Sequence, residues 1–298
     1  MSEPLLRSRY VMAGGVRTHY VEAGNNGHPV VLCHGGAPGL SGEAGFEKIM
    51  PALGTNFQVY APDGVGGFGD TDTKAPASEG AQSRVEHLKA FTGALCLDRL
   101  CLAGNSQGAW VAAKYALEHP HRVRKLFLIA SGTIATAMGL DHSQTEGLSA
   151  LLAYDGTSVA MRRVLETLVW DKSQITDDLV NRWHSCATRP GANEARRSFR
   201  EGMQRLTQDP NLRVKFDMTH VLPRLEVPTM FVWGEEDRFA PVELGRQLER
   251  LLPNISFRYI PRAGHMAHND QPALVSQLMI QFFSGFPEES TDKSDRFV

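Results

Sequence analysis

Few of the features that would set this sequence apart from an ordinary globular enzyme are present. It has four cysteines in 298 residues, Cys33, Cys96, Cys101 and Cys186, with no CxxC spacing among them. Neither a disulfide framework nor a zinc site is indicated, and Cys33 and Cys101 sit inside apolar runs, where a thiol behaves as a small hydrophobe. No excess of one charge exists either, because 31 Lys plus Arg face 33 Asp plus Glu. The balance argues against nucleic acid as a partner, and the lack of a polybasic tract argues against a membrane surface. No uninterrupted apolar run approaches the roughly 20 residues needed to span a bilayer. Met1 to Arg9 lacks the apolar centre of a signal peptide, so the expected setting is the cytoplasm. No internal repeat is evident. What remains is a chain long enough to bury a full core as one large domain or two modest ones, with a small molecule as its expected partner.

The most informative stretch runs from Leu100 to Trp110, where an apolar run ends in Gly104-Asn105-Ser106-Gln107-Gly108 and continues with helical spacing. A serine at the tip of a sharp strand-to-helix turn sits in strained backbone geometry, and the flanking glycines let strand and helix pass closely. Ser106 is the candidate nucleophile. The Gln107 backbone N–H then points to where a carbonyl oxygen becomes an oxyanion, and a helix from Gln107 to about His119 adds its positive end.

Other segments fall into place around this turn. Tyr10 to Glu22 reads as a hairpin, and Pro29–Cys33 as a buried parallel strand ending in the glycine-rich loop His34-Gly35-Gly36-Ala37-Pro38-Gly39. In serine hydrolases such a loop provides the second oxyanion donor, here Gly36 with Gly35 close behind. A strand over 57–61 leads into Gly64, Gly66 and Gly69, a literal GxGxxG. The dinucleotide reading fails because that motif must open an apolar helix, whereas this chain continues with Asp70-Thr71-Asp72-Thr73-Lys74-Ala75-Pro76. Asp63, Asp70 and Asp72 lack regular calcium-loop spacing and read as turn and capping residues. Val85, Leu88, Phe91 and Leu95 carry the spacing of an amphipathic helix over about 82–97, and Lys125 to Ala130 forms the next strand.

Strand, helix, strand, helix in this order predicts a doubly wound α/β sheet with ligands at the strands' C-terminal ends. Residues 1–132 and 223–287 are expected to form this core. From Thr133 to Leu222 only helical spacing is found, with helix starts at Thr176-Asp177-Asp178 and at Asn193-Glu194. That segment is expected to be an inserted helical lid that supplies much of the substrate pocket. The tail from 288 to 298 is polar and expected to be disordered.

Strands over 228–233 and 256–260 each precede a loop with one group that acyl chemistry needs, Asp237 and His265. His265 would take the Ser106 proton and return it to the leaving group, and Asp237 would hold the imidazole tautomer. The order Ser, Asp, His is that of the α/β-hydrolases. Ser131 has no carboxylate after it, and His268 lies farther from the strand end than His265.

On these motifs the chain resembles the α/β-hydrolase superfamily over nearly its whole length. It is most similar to the meta-cleavage-product hydrolases, which cleave a carbon–carbon bond in ring-fission products of aromatic degradation. The resemblance rests on His34 to Gly39, Gly104 to Gly108, Gly234-Glu235-Glu236-Asp237-Arg238-Phe239-Ala240-Pro241, and Gly264-His265. It implies an α/β-hydrolase fold, a serine triad and a small carbonyl substrate of the 2-hydroxy-6-oxo-dienoate type. No metal or organic cofactor is implied, and a homo-oligomer, dimer or tetramer, is left open. It also implies that an arginine of the lid binds the substrate's carboxylate. Arg182, in a similar segment one residue shorter, is the candidate, because a guanidinium fork meets a carboxylate bidentately. Gly35, Asn105, Trp183 and Met266 complete the expected substrate contacts; Met266 stands where the family often has tryptophan. The same triad would also serve a carboxylesterase, lactonase or thioesterase.

Overall fold

The computed structural model describes residues 5–285; the expected disordered tail, 288–298, lies outside them. Eight strands form one sheet in the order β1-β2-β4-β3-β5-β6-β7-β8. They are β1 (Arg7–Ala13), β2 (Val16–Ala23), β3 (Pro29–Cys33), β4 (Gln58–Pro62), β5 (Leu100–Asn105), β6 (Val123–Ile129), β7 (Thr229–Gly234) and β8 (Ser256–Ile260). β2 pairs antiparallel with β1 and with β4, and the remaining neighbours pair parallel. The continuous apolar runs explain this layout. Every residue of β5 is buried, as a strand covered by helices on both faces must be.

The helices of the core are α1 (Gly42–Phe46), α2 (Met50–Leu53), α3 (Ala81–Ala94) and α4 (Gln107–Glu118) before the insertion. Between β6 and β7 lie α5 (Gly132–Ala137), α6 (Glu146–Leu152), α7 (Ser158–Leu168), α8 (Asp177–Thr188), α9 (Ala192–Gln208) and α10 (Pro210–Phe216). After β7 come α11 (Val242–Leu251), α12 (Ala267–Asp270) and α13 (Pro272–Ser284). Among the described residues the segment 133–222 contains no strand, as its spacing predicts. Thr176 caps α8 by accepting from the Leu179 N–H. The start expected at Asn193 is displaced: α9 begins at Ala192, behind Gly191 in the left-handed conformation, which glycine adopts without steric cost. No helix among the described residues is long and apolar enough to cross a membrane.

Two apolar clusters matter for the site. The larger fills both faces of the sheet. A second joins Met161, Val164, Leu165 and Leu168 of α7 with Val180, Trp183 and Ala187 of α8, and it reaches down to Leu40, Phe239 and Met266 of the core. Each Leu, Val, Met or Phe side chain among them contributes about 1.5–3 kcal/mol on burial. The inserted helices are therefore packed onto the strand ends as well as tethered by chain.

The glycine-rich loop after β4 enters no helix before Ala81. Instead the buried Asp63 carboxylate accepts from the N–H groups of Gly42 at 2.7 Å and Asp70 at 2.6 Å and from His19 Nδ1 at 2.7 Å. Asp72 closes a local turn onto the Lys74 N–H.

Candidate active site

Ser106 sits between β5 and α4 with φ 57° and ψ −123°, a left-handed conformation that costs an L-residue about 1–3 kcal/mol. The surroundings enforce it. A Cβ on Gly104 would lie 2.2 Å from the Gly108 carbonyl oxygen, and one on Gly108 would lie 2.0 Å from that of Cys33. The Ser106 N–H donates to the carbonyls of Ile129 and Ala130, both at 2.9 Å. Its own carbonyl accepts from Ser131 Oγ at 2.7 Å, so Ser131 braces the turn and caps α5.

Asp237 and His265 stand on the loops after β7 and β8, both buried. Asp237 Oδ1 accepts from the Phe239 and Ala240 N–H groups at 2.8 Å each. Its Oδ2 lies 2.8 Å from His265 Nδ1. A carboxylate can only accept, so Nδ1 carries the proton and Nε2 is the basic nitrogen. That Nε2 is buried and has no hydrogen-bond partner among the described residues. The Phe239 ring stacks on the imidazole at 4.6 Å between centroids, and Asn105 Nδ2 donates to the His265 carbonyl at 3.0 Å. His268 is turned elsewhere, its Nε2 on the Gly45 carbonyl at 2.8 Å; burial pulls its pKa down to about 3.

The loop after β3 faces the same point. His34 Nε2 accepts from the Gly64 N–H at 2.8 Å, which leaves the proton on Nδ1, 2.8 Å from the Gly35 carbonyl. Burial and the neighbouring Arg84 charge keep this imidazole's pKa well below its ordinary value. A Cβ on Gly35 would lie 3.3 Å from Ser106 Cβ, a tight contact, so glycine lets the loop approach Ser106 closely. Gln107 is the first residue of α4, and its N–H has no carbonyl within the helix to receive it.

A cavity of about 210 Å³ brings these groups together: Gly35, Gly36, Asn105, Ser106, Gln107, His265 and Met266 all line it. Two expected residues do not. Arg182 donates to both Glu47 carboxylate oxygens at 3.1 Å and is half exposed; with Trp183 it lines a separate cavity of about 140 Å³. A carboxylate on the neighbouring α1 loop has taken the fork expected to receive the substrate. Trp183 is buried in the apolar cluster between α7 and α8, where packing claims its ring. Met266 and Leu168 line both cavities.

The family model of the alpha/beta hydrolase fold matches residues 28–272. The chain belongs to the α/β-hydrolase family. Within it, this hydrolase is 34% identical over 269 residues to a 2-hydroxy-6-oxo-2,4-heptadienoate hydrolase of Pseudomonas putida, covering 88% of this chain and 91% of that one. It is 32% identical to a 2-hydroxy-6-oxononadienedioate/2-hydroxy-6-oxononatrienedioate hydrolase of Paraburkholderia phymatum, covering 92% and 95%. Among solved structures it is similar to a meta-cleavage product hydrolase of Pseudomonas fluorescens, with a TM-score of 0.77, 28% identity, and coverage of 93% and 97%.

Sequence reasoning misses part of the cavity wall of this α/β-hydrolase. Thr133, Thr136, His142, Leu148, Leu151, Met203, Thr207 and Phe216 come from the inserted helices and their connections. Nothing local marks them, because helical spacing says which residues face inward but not which inward face meets the nucleophile. Phe216 is the exception in kind: its ring stacks on Trp110 of the elbow helix at 5.4 Å.

Proposed function

We propose that this chain is a serine hydrolase that cleaves the carbon–carbon bond of a 2-hydroxy-6-oxo-dienoate, with Ser106, His265 and Asp237 as its catalytic residues. The observation that carries the reading is the buried Asp237–His265 pair, whose Nε2 is left open beside the cavity that Ser106 lines. The relatives of known activity supply the substrate class. His265 and Ser106 assist ketonisation of the dienol. A nucleophile, Ser106 or a water deprotonated by His265, then adds to the distal carbonyl, and the Gly36 and Gln107 N–H groups receive the oxyanion. Collapse breaks the carbon–carbon bond. With one water consumed, the products are a carboxylic acid and a short enol acid. The inserted helices 133–222 act as a lid that excludes water from this chemistry.

No Lys or Arg lines the cavity among the described residues. A buried carboxylate without a partner is costly. Every 2-hydroxy-6-oxo-dienoate carries one, which is left to neutral donors of the lining such as Thr133, Thr136 and Thr207, and an alkyl or aryl acyl end avoids adding a second unpaired charge. The same observation gives the ester reading its support, since an uncharged ester needs no cation. The four free thiols support a reducing, cytoplasmic setting.

Stopped-flow absorbance with alkyl, aryl and carboxylated 2-hydroxy-6-oxo-dienoates beside p-nitrophenyl acetate tests this. Loss of the coloured dienolate, abolished in Ser106→Ala, is expected. Turnover of the ester alone moves the assignment to a carboxylesterase, and activity that survives Ser106→Ala overturns the mechanism.

A further inference from the structure

Arg84 of α3 is an arginine in an unusual place. Only 4% exposed, it forms no ion pair among the described residues. Its guanidinium instead spends its donors on the loop after β3 and on the elbow. NH2 donates to the His34 carbonyl at 2.7 Å. NH1 donates to the Gly35 carbonyl at 3.1 Å and to Gln107 Oε1 at 2.9 Å. The face of the Phe68 ring lies 5.0 Å away, and a Cβ on Gly64 would collide with the guanidinium at 2.6 Å. A buried cation without a counter-ion is costly, and packing alone gives no reason to keep one.

Peptide geometry supplies the reason. The Gly35 carbonyl and the Gly36 N–H belong to one planar unit, and no cis peptide occurs among the described residues. In a trans unit the two groups point in opposite directions. A donor that fixes the Gly35 oxygen therefore aims the Gly36 N–H the other way, and it polarises that N–H as hydrogen bonds in series do. The bond to Gln107 Oε1 is a third anchor for the guanidinium; the Gln107 N–H itself is aimed through its own peptide unit, whose Ser106 carbonyl is held by Ser131 Oγ.

We propose that Arg84 is a positioning residue for the oxyanion hole, its guanidinium fork aiming the Gly36 amide at the reacting oxygen and adding a fixed positive charge behind it. The inference rests on the reading that the Gly36 amide receives the oxyanion together with that of Gln107. Burial lowers the Arg84 pKa to about 10, which leaves it charged at neutral pH. It touches no substrate, since it does not line the cavity.

The test compares wild type, Arg84→Lys and Arg84→Met on 2-hydroxy-6-oxo-6-phenyl-dienoate and on p-nitrophenyl acetate. Phenylboronic acid serves as a tetrahedral mimic and benzoate as a ground-state ligand. Loss of one oxyanion donor costs about a hundred- to a thousandfold in kcat; misaiming the Gly36 donor should cost Arg84→Met about ten- to a hundredfold, with KM within threefold. Arg84→Lys keeps a charge but not the fork, and is expected to lose about fivefold or more. In both, inhibition by phenylboronic acid should weaken by the factor lost in kcat while benzoate binding stays unchanged, a split that a purely structural role does not produce. Should either variant be insoluble, Gln107→Met, which cuts one of the three bonds and leaves the guanidinium in place, must show the same coupled loss. A folded variant with kcat within twofold and unaltered phenylboronic acid inhibition overturns the inference. Ser106→Ala separates the two failures: if it retains turnover, the reading of the site fails, and if it is dead while the Arg84 variants are unaffected, only the role of Arg84 fails.

Discussion

One oxygen of Asp237 holds His265 and the other holds the loop that carries Asp237 itself, so the same carboxylate sets both the tautomer and the position of the imidazole. Asp237→Asn keeps an oxygen for the Phe239 and Ala240 N–H groups but turns an amide N–H toward Nδ1. The imidazole must then carry its proton on Nε2, where it cannot accept one from Ser106. We expect kcat to fall by about 10⁴ with little change in melting temperature. Steady-state kinetics and calorimetry on one preparation check both halves.

Glycine at 108 is a requirement of close approach. Its added Cβ would lie 2.0 Å from a backbone oxygen of β3, which has no flexible end to move aside. Gly108→Ala should cost about 3 kcal/mol or more, or give no soluble protein. Gly93→Ala in α3 is the control, because nothing lies within 4 Å of its Cβ position; it should raise stability by up to about 1 kcal/mol. Urea unfolding midpoints decide.

Arg182→Ala is expected to change KM by less than about threefold and stability by less than about 1 kcal/mol, since a half-exposed ion pair contributes little. A tenfold rise in KM for dienoates, absent for uncharged esters, would mean that the guanidinium leaves Glu47 to meet the substrate.

Acid should unfold this protein through its buried histidines. Burial lowers the pKa of His87 to about 4 and of His268 to about 3, and it lowers His34 as well. Near pH 6.5 these rings take up protons in the unfolded chain but not in the fold. The stability they give is present above about pH 6.5 and is lost as pH falls toward the folded values, each ring adding about 1.4 kcal/mol per pH unit to the slope. His19 runs the other way: despite burial, its bond to Asp63 leaves its pKa raised, so its share is present at low pH and fades as pH rises through the folded value. Urea midpoints at pH 7.5 and 5 should show the net loss, and His87→Gln should flatten the slope.

The parts of the site that were legible in the sequence are those where backbone geometry dictates residue type. Ser106 between Gly104 and Gly108 is one such place, and the glycine pair at 35 and 36 is another, because a Cβ there would strike something specific. Asp237 and His265 were legible through their place after strands, which the period of apolar residues marks. The partner of Arg182 was not, because a surface charge binds whichever carboxylate the tertiary fold brings near, and Glu47 comes from a segment 135 residues earlier. Arg84 was missed for a related reason: the pattern that places Val85, Leu88 and Phe91 inward says nothing of a cation buried among carbonyls.

The last residues of α7 bear on how such enzymes can be recombined. Arg238, next to Asp237, donates to the carbonyls of Glu166 and Val169 at 2.7 and 2.9 Å. Met266, next to His265, donates its N–H to the Leu168 carbonyl at 2.8 Å. Asp270 accepts from the N–H groups of both Trp170 and Gly264. The loops after β7 and β8 are thus stitched to main-chain atoms of the insertion, whose identity does not depend on the insertion's side chains. A chimera that borrows the 133–222 segment of a relative keeps Asp237 and His265 in register only if the graft preserves the backbone path from 166 to 170, whatever residues it carries there.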